Sequence, residues 1–543
     1  MNTIEKNLAR YLWAEQQASL SYAEKNHNQA LVWSSIAANC AWKGHAGFYV
    51  SQKLESFLLE IAARHVPHLA ACPWQLPTRA HSGKRWLHVM TRAFSVGGHT
   101  ALAVNFIKRM TASDAVHSVL LTDQRHFSLP EELQSSINAA NGSIISLPCK
   151  LSFLERAAIL RKVAHNWADT VILYVHPNDP VPVAAFGVDG GPPIVYYNHA
   201  DHVFWLGSSI ADLVIELRLS GKDLSLRRRG VRRCEVLPIP LHVEPVISQA
   251  QKLAFKRELC VPPATRIMLS IGTSYKYEPY GELDFPRLMA TFLKGITDVK
   301  LLVVGPSPHD PRWIEANRLS EGKVEAMGVQ SNLSNYYGAA DLYLESFPVG
   351  SLVASLDAVL RGVPIFRAPF PPLPLLCLDR YDGMNTNAGN LNEFFEMLRA
   401  TLEKVDLEAV GLKQRAAVVE LHSGDGWNDN LRRVLCGIPS NHQVDNGLVS
   451  QMKPGWMVED EIWADIQTRH SGHCLKSSVR ATYPYLKKIE LLRGLRHARR
   501  LGERSLGVKS LFECLIDASM VFLPTLTLDY AFKWYMSRNY RKN

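Results

Sequence analysis

Several side chains that could bind a charged group or move a proton follow short apolar runs, where buried strands are expected to end. Lys276 lies on the loop Gly272-Thr-Ser-Tyr-Lys, directly after the run Arg266-Ile-Met-Leu-Ser-Ile. Gly272 and Thr273 would let the backbone approach phosphate groups, and a lysine ammonium can neutralise the charge of a diphosphate. The alternative is a solvated loop lysine. The pattern favours Lys276 as the cation of an anion-binding site.

A second segment, Asp341 to Pro364, predicts a strand, a loop and a helix in succession. Asp341 to Leu344 is short and apolar, as expected inside a parallel sheet, and the following helix is predicted from about Ser351 to Leu360. Gly350 stands where the loop becomes the helix, so backbone N–H groups there can face a ligand. The segment indicates a ligand crevice at the carboxyl end of a sheet, although an ordinary strand–helix unit reads the same way.

Histidines mark a third candidate site. His99 follows Gly98 in Ser95-Val-Gly-Gly-His-Thr100, after the predicted strand Trp86–Met90. An imidazole near neutral pKa can take a proton from a hydroxyl group, whereas the plainer interpretation is a histidine hydrogen-bonded in a tight loop. His199 and His202, in Asn198-His-Ala-Asp-His, are further candidates. Their spacing suits a metal, but the segment offers neither cysteines nor an obvious third ligand, and we predict no metal site.

The charge of the chain is concentrated near its end. The 543 residues carry a formal net charge of +9, yet between Ser471 and Lys509 ten Lys or Arg residues face only two Glu residues, a surplus of +8. Basic residues interleaved with apolar and aromatic ones suit an anionic membrane surface, and a helical cap with a solvated basic face is the alternative. No nucleic-acid-binding module accompanies the charge, so no nucleic-acid partner is predicted.

The cysteines and the apolar runs indicate the cellular compartment in which the protein is expected. Nine scattered cysteines without a Cys-x-x-Cys pair favour a reducing compartment over a disulfide framework. The polar start and the lack of a run of about 18 uncharged apolar residues predict neither a signal peptide nor a spanning helix. We therefore expect a cytoplasmic protein, with peripheral attachment at the inner face of the membrane as a further option.

The order of elements predicts four regions. Helical periodicity dominates residues 1–82, and residues 83–245 and 246–438 each alternate strands with helices, which is typical of a parallel doubly wound sheet. Residues 439–543 form a basic helical tail. Neither α/β region contains Gly-x-Gly-x-x-Gly, so two Rossmann-like domains without a dehydrogenase fingerprint are expected, as in sugar-nucleotide enzymes.

Two short motifs resemble a known family. The spacing Asp341-x8-Gly350-x6-Asp357, with Phe347-Pro348 before the glycine, and the segment Tyr275-Lys-Tyr-Glu-Pro279 resemble the bacterial adhesin N-glucosyltransferases, which share a family with the O-GlcNAc transferases. The segment Val195-Tyr-Tyr-Asn-His-Ala-Asp201 falls where that family places a histidine-containing loop. The resemblance covers roughly residues 85–436 and implies the GT-B fold, although the family's small polar pair before the Asp357 position is Val353-Ala354 here.

The resemblance also implies roles for single residues. Lys276 would contact the donor diphosphate, and Asp357 would accept hydrogen bonds from ribose hydroxyls. Glu345 would share that contact or hold a sugar hydroxyl. The backbone beside Gly328 would contact the edge of the nucleotide base, and the ring of Tyr336 would stack on the base. An aromatic residue is, however, more often part of a core. His99 would face the interdomain cleft as the base of an inverting displacement.

These observations together predict a glycosyltransferase of the hexosyltransferase type with an α/β, GT-B fold. It would move a sugar from a nucleotide sugar, expected to be UDP-linked, to a hydroxyl or amide of a glycan, lipid-linked or protein acceptor. The nucleotide sugar would be a substrate, and no metal or other cofactor is predicted. The alternatives are a GT-B nucleotide-sugar epimerase and a non-catalytic scaffold that binds partners through its helical ends.

Overall fold

The computed structural model describes residues 2–71, 74, 76, 83–95, 98–110, 115–125, 127–367, 388–447, 456–471, 475–482 and 485–501. Its contacts divide the chain into two compact units. Unit 1 contains Met1–Leu213, Arg227–Arg232 and the chain from Pro439 onward, and unit 2 contains Val214–Leu226 and Arg233–Ile438. The four-region division expected from the sequence remains a prediction.

Three helices open unit 1: α1 (Thr3–Ala23), α2 (His27–Gly44) and α3 (Gln52–Arg64). The first begins with a capping box, in which the Asn2 side chain accepts from the N–H of Glu5 and the Glu5 carboxylate accepts from the N–H of Asn2. Helix α2 is buried on nearly every side, which explains why its sequence is rich in alanine and poor in charge. The helical periodicity of the sequence is thus matched by the structure.

A seven-stranded sheet follows, with the strand order β3-β2-β1-β4-β5-β6-β7. The strand pairs β1–β2, β1–β4, β2–β3, β4–β5 and β6–β7 are parallel. The chain therefore winds outward in both directions from β1, as in a Rossmann-like sheet. The elements are β1 (Arg85–Met90), α4 (Gly98–Met110), β2 (Val116–Leu121), α5 (Glu131–Ala139), β3 (Ile144–Ser146), α6 (Phe153–Trp167), β4 (Thr170–Tyr174), α7 (Val181–Phe186), β5 (Ile194–Asn198), β6 (Leu213–Glu216), α8 (Leu219–Arg228) and β7 (Cys234–Val236).

A five-stranded parallel sheet forms the centre of unit 2, with the order β10-β9-β8-β11-β12. Its strands are apolar and buried because helices cover both faces, as the two core clusters on either side of the sheet show. The elements are α9 (Gln249–Glu258), β8 (Arg266–Ile271), a 3₁₀ turn (Ser274–Tyr277), α10 (Phe285–Lys294), β9 (Val299–Val304), α11 (Pro311–Leu319), β10 (Val324–Gly328), α12 (Ser334–Ala339), β11 (Leu342–Leu344), α13 (Leu352–Leu360), β12 (Ile365–Phe366), α14 (Leu391–Lys404), α15 (Leu407–His422) and α16 (Gly424–Cys436).

Two doubly wound sheets with helical segments at both ends confirm the predicted fold class, an α/β fold of the GT-B type with two Rossmann-like domains. The strand predicted over Asp341 to Leu344 begins one residue later. Asp341 lies just outside it, where its carboxylate accepts from the N–H of Ile267 at 2.8 Å and pairs with Lys252 and Lys256. This aspartate therefore joins the start of β11 to β8.

Helices α17 (Val458–Ser471), α18 (Leu475–Ala481) and α19 (Lys488–Arg500) belong to unit 1 and pack against its first two helices. The indole N–H of Trp33 donates to the buried Glu490 carboxylate at 3.0 Å, and the rings of Trp13 and His497 stack at 4.0 Å. The described part of the predicted tail is therefore folded onto unit 1. Within the described residues, no helix is both long and apolar enough to cross a bilayer.

Asp460 of α17 anchors this packing. Its buried carboxylate accepts two hydrogen bonds from Arg228, each 2.9 Å long, and lies 2.9 Å from Nε2 of His45. Burial alone would raise the pKa of Asp460, but the bonds from His45 and Arg228 hold it at about 2. The carboxylate is therefore charged at neutral pH.

We expect Asp460→Ala to lower the free energy of unfolding by about 2–3 kcal/mol, because Arg228 would lose its partner in a largely dry site. Chemical denaturation followed by circular dichroism measures this. The control is Asp429→Ala, which breaks an ion pair to Arg432 whose side chains are 69–73% exposed, and it should cost less than about 1 kcal/mol. Equal losses in the two variants would contradict the anchoring role of Asp460.

Candidate functional site

The carboxyl ends of three neighbouring strands of unit 2 carry the predicted donor-binding residues. Gly272 and Thr273 follow β8, Gly305 follows β9, and the loop from Glu345 to Gly350 follows β11. Gly305 has φ +120°, and a Cβ there would lie 2.0 Å from the carbonyl oxygen of Gly272. Only glycine allows the β8 and β9 loops to approach this closely.

Lys276 connects two of these loops. Its ammonium donates to the carbonyl oxygen of Gly350 at 2.8 Å and to Oγ of Ser351 at 2.9 Å. The backbone N–H of Val349 donates back to the carbonyl oxygen of Lys276 at 3.4 Å. The structure thus brings Lys276 and Gly350 together, as the two motifs predicted, at the start of helix α13.

The first turn of α13 offers backbone donors beside this ammonium. Ser351 is the N-cap residue, but its side chain makes no capping hydrogen bond, since its hydroxyl accepts from Lys276 instead. The first N–H groups of a helix have no partner within the helix and carry partial positive charge. An ammonium and an uncapped helix N-terminus therefore lie side by side, and both favour an anion.

Burial and two nearby charged side chains set the pKa of Lys276. Burial lowers the pKa of Lys276 to about 8, the buried Glu345 opposes this shift, and the nearby charge of Arg218 adds to it. A lysine with a depressed pKa beside a second cation signals a position where an anion would be strongly stabilised. An anion bound here would raise the pKa of Lys276 again.

Gly328 and Glu345 belong to the same edge of the sheet. Gly328 ends β10 with φ +70°, its carbonyl oxygen accepts from the N–H of Gly305 at 2.8 Å, and its N–H donates to the carbonyl oxygen of Pro306. Glu345 is fully buried directly after β11, and its N–H donates to the carbonyl oxygen of Phe366 at 2.9 Å. Both residues therefore lie at the carboxyl edge of the sheet, and their roles in a donor site remain predictions.

Asp357 and Tyr336 lie at the periphery of this site. Asp357 is half-buried on α13, where burial raises the pKa of its carboxyl group against the opposing charge of Arg361. Tyr336 is only 6% exposed and belongs to the apolar cluster under one face of the sheet. The structure therefore places the Tyr336 ring in a packed core, which was the plainer of its two interpretations, and stacking on a base remains a prediction.

Two of the histidines proposed from the sequence, His99 and His199, lie close together in unit 1, and His176 lies beside them. The ring of His99 lies 5.3 Å from that of His199 and 5.7 Å from that of His176. Burial lowers the pKa of all three, for His199 to about 3, so the rings are neutral at pH 7. Each follows the carboxyl end of a strand, β1, β4 or β5, and these strands are neighbours in the sheet.

The hydrogen bonding of His99 identifies which nitrogen could accept a proton. Its Nε2 lies 2.8 Å from the carbonyl oxygen of Arg92. A carbonyl oxygen can only accept, so Nε2 carries the hydrogen and the lone pair of a neutral ring is on Nδ1. His99 lies in the first turn of α4 and not in a loop, but the hydrogen bond expected from the alternative interpretation is present, and it leaves Nδ1 available as a base.

The remaining candidate residues of unit 1 are His202 and Gly98. Nδ1 of His202 lies 2.9 Å from the Asp201 carboxylate, and its ring packs against Trp463. Gly98 is exposed at the start of α4, and a Cβ there would meet no atom within 4 Å. A cavity of about 620 Å³ lies nearby, lined in part by Phe94, whose ring contacts that of His99. No group of three or more metal-binding side chains occurs among the described residues.

Five residues of these sites were not predicted: Gly305, Ser351, Arg218, His176 and Arg92. Ser351 and His176 could have been found, because each is a polar residue at a loop that follows a predicted strand, where ligands of parallel sheets bind. Arg218 and Arg92 could not, because arginines after strands are common and their proximity to Lys276 and His99 depends on the fold.

Comparison with known proteins assigns the chain to no family. No family model matches it, and no curated protein matches its sequence. The HepE protein (Alr3699) of Anabaena, solved with UDP, is similar at 15% identity over 65% of this chain and 100% of that chain, with a TM-score of 0.49. A glycosyltransferase from Rickettsia africae is similar at 14% identity over 66% of this chain and 99% of its own, with a TM-score of 0.48.

An O-GlcNAc transferase mutant from Thermobaculum terrenum is also similar, at 13% identity over 86% of this chain and 84% of that chain, with a TM-score of 0.40. Of these three neighbours, the second is named a glycosyltransferase and the third an O-GlcNAc transferase. Because the TM-scores are below 0.5, the fold is assigned from the topology of the two sheets and not from these likenesses. Membership in the adhesin N-glucosyltransferase family remains a prediction.

Proposed function

We propose that the protein is a glycosyltransferase that takes a sugar from a UDP-linked donor and transfers it to a hydroxyl or amide acceptor. One observation carries the proposal: the ammonium of Lys276 lies against the uncapped N-terminus of α13, at the carboxyl edge of a doubly wound sheet. Two positive groups are held together there, and the leaving diphosphate of a nucleotide sugar has the charge that they would neutralise.

Lys276 has the capacity for this role. An ammonium has three N–H donors, and Lys276 uses two of them on Gly350 and Ser351, while the third has no acceptor among the described residues. The backbone N–H groups of Leu352 and Val353 supply further donors, so the Val353-Ala354 pair does not prevent diphosphate binding through the main chain. In this proposal the ammonium and the helix supply the charge that a metal ion supplies in other enzymes.

The proton of the acceptor requires a base, and we assign it to His99. In an inverting displacement the acceptor oxygen forms a bond to C1 of the sugar as the bond from C1 to the diphosphate oxygen breaks. The acceptor proton moves to Nδ1 of His99, and the electron pair leaves with UDP. The neutral ring and the bond from Nε2 to the Arg92 carbonyl oxygen suit this step.

The exposed face of α19 supports a second part of the proposal, attachment to an anionic membrane. Leu491, Leu495 and Ala498 are buried against unit 1, whereas Arg496, Arg500 and the neighbouring Lys487 are exposed, and Ile489 is 67% exposed beside them. A basic face with an exposed apolar side chain suits the surface of a bilayer that contains anionic lipids. This face is formed within the described part of the basic tail.

Lys276→Ala should weaken UDP binding about tenfold to a hundredfold, because a charge-assisted hydrogen bond to phosphate is worth about 1.5–3 kcal/mol. Isothermal titration calorimetry with UDP measures the change. Lys413→Ala, which removes an exposed lysine of α15, is the matched control and should bind UDP like the parent protein. Unchanged affinity in Lys276→Ala would remove the diphosphate assignment.

His99→Ala should lower kcat about 10²–10⁴-fold while UDP binding is kept, because a general base acts on the acceptor and not on the donor. Radiolabelled UDP-sugar and candidate acceptors provide the assay, and analysis of the sugar products separates transfer from epimerisation. His68→Gln alters an exposed histidine after α3 and serves as the control. Undiminished turnover in His99→Ala would show that another group is the base.

Arg496→Glu/Arg500→Glu should lower partitioning onto vesicles containing phosphatidylserine at least about tenfold, because each basic residue near such a surface contributes about 1 kcal/mol. Sedimentation with vesicles at 50 and 500 mM salt measures it, and the parent protein should also be released at high salt. The control Lys294→Glu/Lys413→Glu reverses two exposed charges of unit 2. Equal partitioning of both double variants would contradict membrane attachment through α19.

A further inference from the structure

Three arginines of unit 1 converge on one carboxylate. Nη2 of Arg92 and Nε of Arg125 both donate to Oδ2 of Asp123, at 2.5 and 2.9 Å, and Nη1 of Arg156 donates to Oδ1 at 3.0 Å. The hydroxyl of Tyr485 also donates to Oδ1. Since two guanidinium groups share a single oxygen, Arg92 and Arg125 lie next to each other.

This cluster has more positive than negative charge. Burial alone would raise the pKa of Asp123, but the charges of Arg125, Arg92 and Arg156 hold it at about 2, so it contributes one negative charge. A second acid, Asp179, is close enough for the charge of Asp123 to raise its pKa, and it is buried and accepts from the hydroxyls of Thr91 and Thr122. Even with Asp179 ionised, three guanidinium groups face two carboxylates.

The surplus charge is accessible from solvent. The side chains of Arg92 and Arg125 are 20% and 22% exposed, whereas that of Arg156 is fully buried and also donates to the carbonyl oxygen of Cys149. Arg92 uses Nε and Nη2 on Asp123, and Arg125 uses Nε on Asp123 and Nη2 on the carbonyl oxygen of Ala481. Nη1 of Arg92 has no acceptor among the described residues, and the Arg125 guanidinium also interacts with the Tyr485 hydroxyl.

The position of the cluster relates it to the proposed base. Arg92 follows β1 and Asp123 follows β2, so both lie at the carboxyl edge of the seven-stranded sheet. The carbonyl oxygen of Arg92 is the one that orients His99. Arg125 has φ +55°, a left-handed backbone conformation that is uncommon for a residue with a side chain and occurs often at functional sites.

We propose that Arg92 and Arg125 form an anion subsite that binds a phosphate group carried by the acceptor. The acceptor part of this inference rests on the proposed function. Two neighbouring guanidinium groups with donors to spare match the several oxygens of a phosphate, and a doubly charged anion would compensate the surplus positive charge. The bound phosphate would hold the acceptor hydroxyl near Nδ1 of His99.

The test uses inorganic phosphate with the full chain carrying Lys276→Ala, so that the donor site of unit 2 does not contribute. We expect saturating phosphate, at an ionic strength kept constant with sodium chloride, to raise Tm by about 2 °C. Arg92→Gln and Arg125→Gln should each weaken phosphate binding at least about tenfold in calorimetry. The control Arg85→Gln changes an arginine that pairs with a single carboxylate, Asp169, and should bind phosphate like the parent.

Methyl phosphate mimics a terminal phosphate of the acceptor, and dimethyl phosphate mimics a phosphate that bridges two groups. Arg92→Gln and Arg125→Gln should each weaken the binding of whichever compound the subsite accepts. Acetate is small enough to reach the same arginines, and it should bind more weakly than phosphate because it has fewer oxygens and a single charge. Phosphate binding that is the same in Arg92→Gln, Arg125→Gln and Arg85→Gln would overturn the proposal, as would acetate binding as tight as phosphate. Arg92→Lys keeps the positive charge but loses the paired N–H donors of the guanidinium group, and it should bind phosphate with intermediate affinity. This result would show that the loss in Arg92→Gln does not come from misfolding.

A UDP titration of the protein with Lys276 intact reports separately on the proposed function. If the protein with Lys276 intact does not bind UDP but phosphate binding depends on the two arginines, the donor assignment is wrong and the anion subsite is supported. UDP binding without arginine-dependent phosphate binding would remove the subsite alone.

Discussion

The contact between the Lys276 ammonium and the first turn of α13 is the constraint on which the account of this protein depends. A positive side chain next to the positive end of a helix is unfavourable unless negative charge is available. Glu345 supplies part of it, while burial and, to a smaller extent, the charge of Arg218 lower the pKa of Lys276 to about 8, so the buried ammonium is less stable than one in water. The site is therefore arranged to be completed by an anion.

The parallel sheet explains how the chain produces such a site. Neighbouring parallel strands end at the same edge, so the loops after β8, β9 and β11 meet although they are far apart in sequence. Gly305 permits close approach of two loops, and Gly350 precedes a helix whose first N–H groups face the same edge. The same rule in unit 1 assembles His99, His176 and His199 and, beside them, Arg92 and Asp123.

Much of the fold could be predicted because its signals are local. Apolar runs such as Val299–Val304 are too short and too uniformly apolar for surface helices, and their alternation with helical segments indicates parallel sheets. Lys276, Gly350 and His99 could be proposed as site residues because each follows such a run in the sequence, although Lys276 lies in a 3₁₀ turn and His99 in the first turn of α4. The positions of Arg218 and Arg92 depend on contacts over long sequence separations, which no local pattern encodes.

The C-terminal segment shows the same limit. Its composition indicated basic amphipathic helices, and α17 to α19 are helical. Composition could not show that Asp460, Glu490 and His497 contact His45, Trp33 and Trp13, because these partners near the start of the chain lie more than 400 residues away in sequence. Tyr336 shows another limit of local patterns, because the sequence alone could not show that its ring packs in the apolar cluster under the sheet.

The most direct test of the central claim is the titration of Lys276 itself. Reductive ¹³C-methylation of the lysines, with the Lys276 signal assigned through Lys276→Arg, gives its pKa by NMR with and without saturating UDP. The account predicts a pKa of about 8 in the free protein and a rise of about one to three units with UDP, because an adjacent diphosphate stabilises the ammonium. An identical pKa in the two states would contradict it.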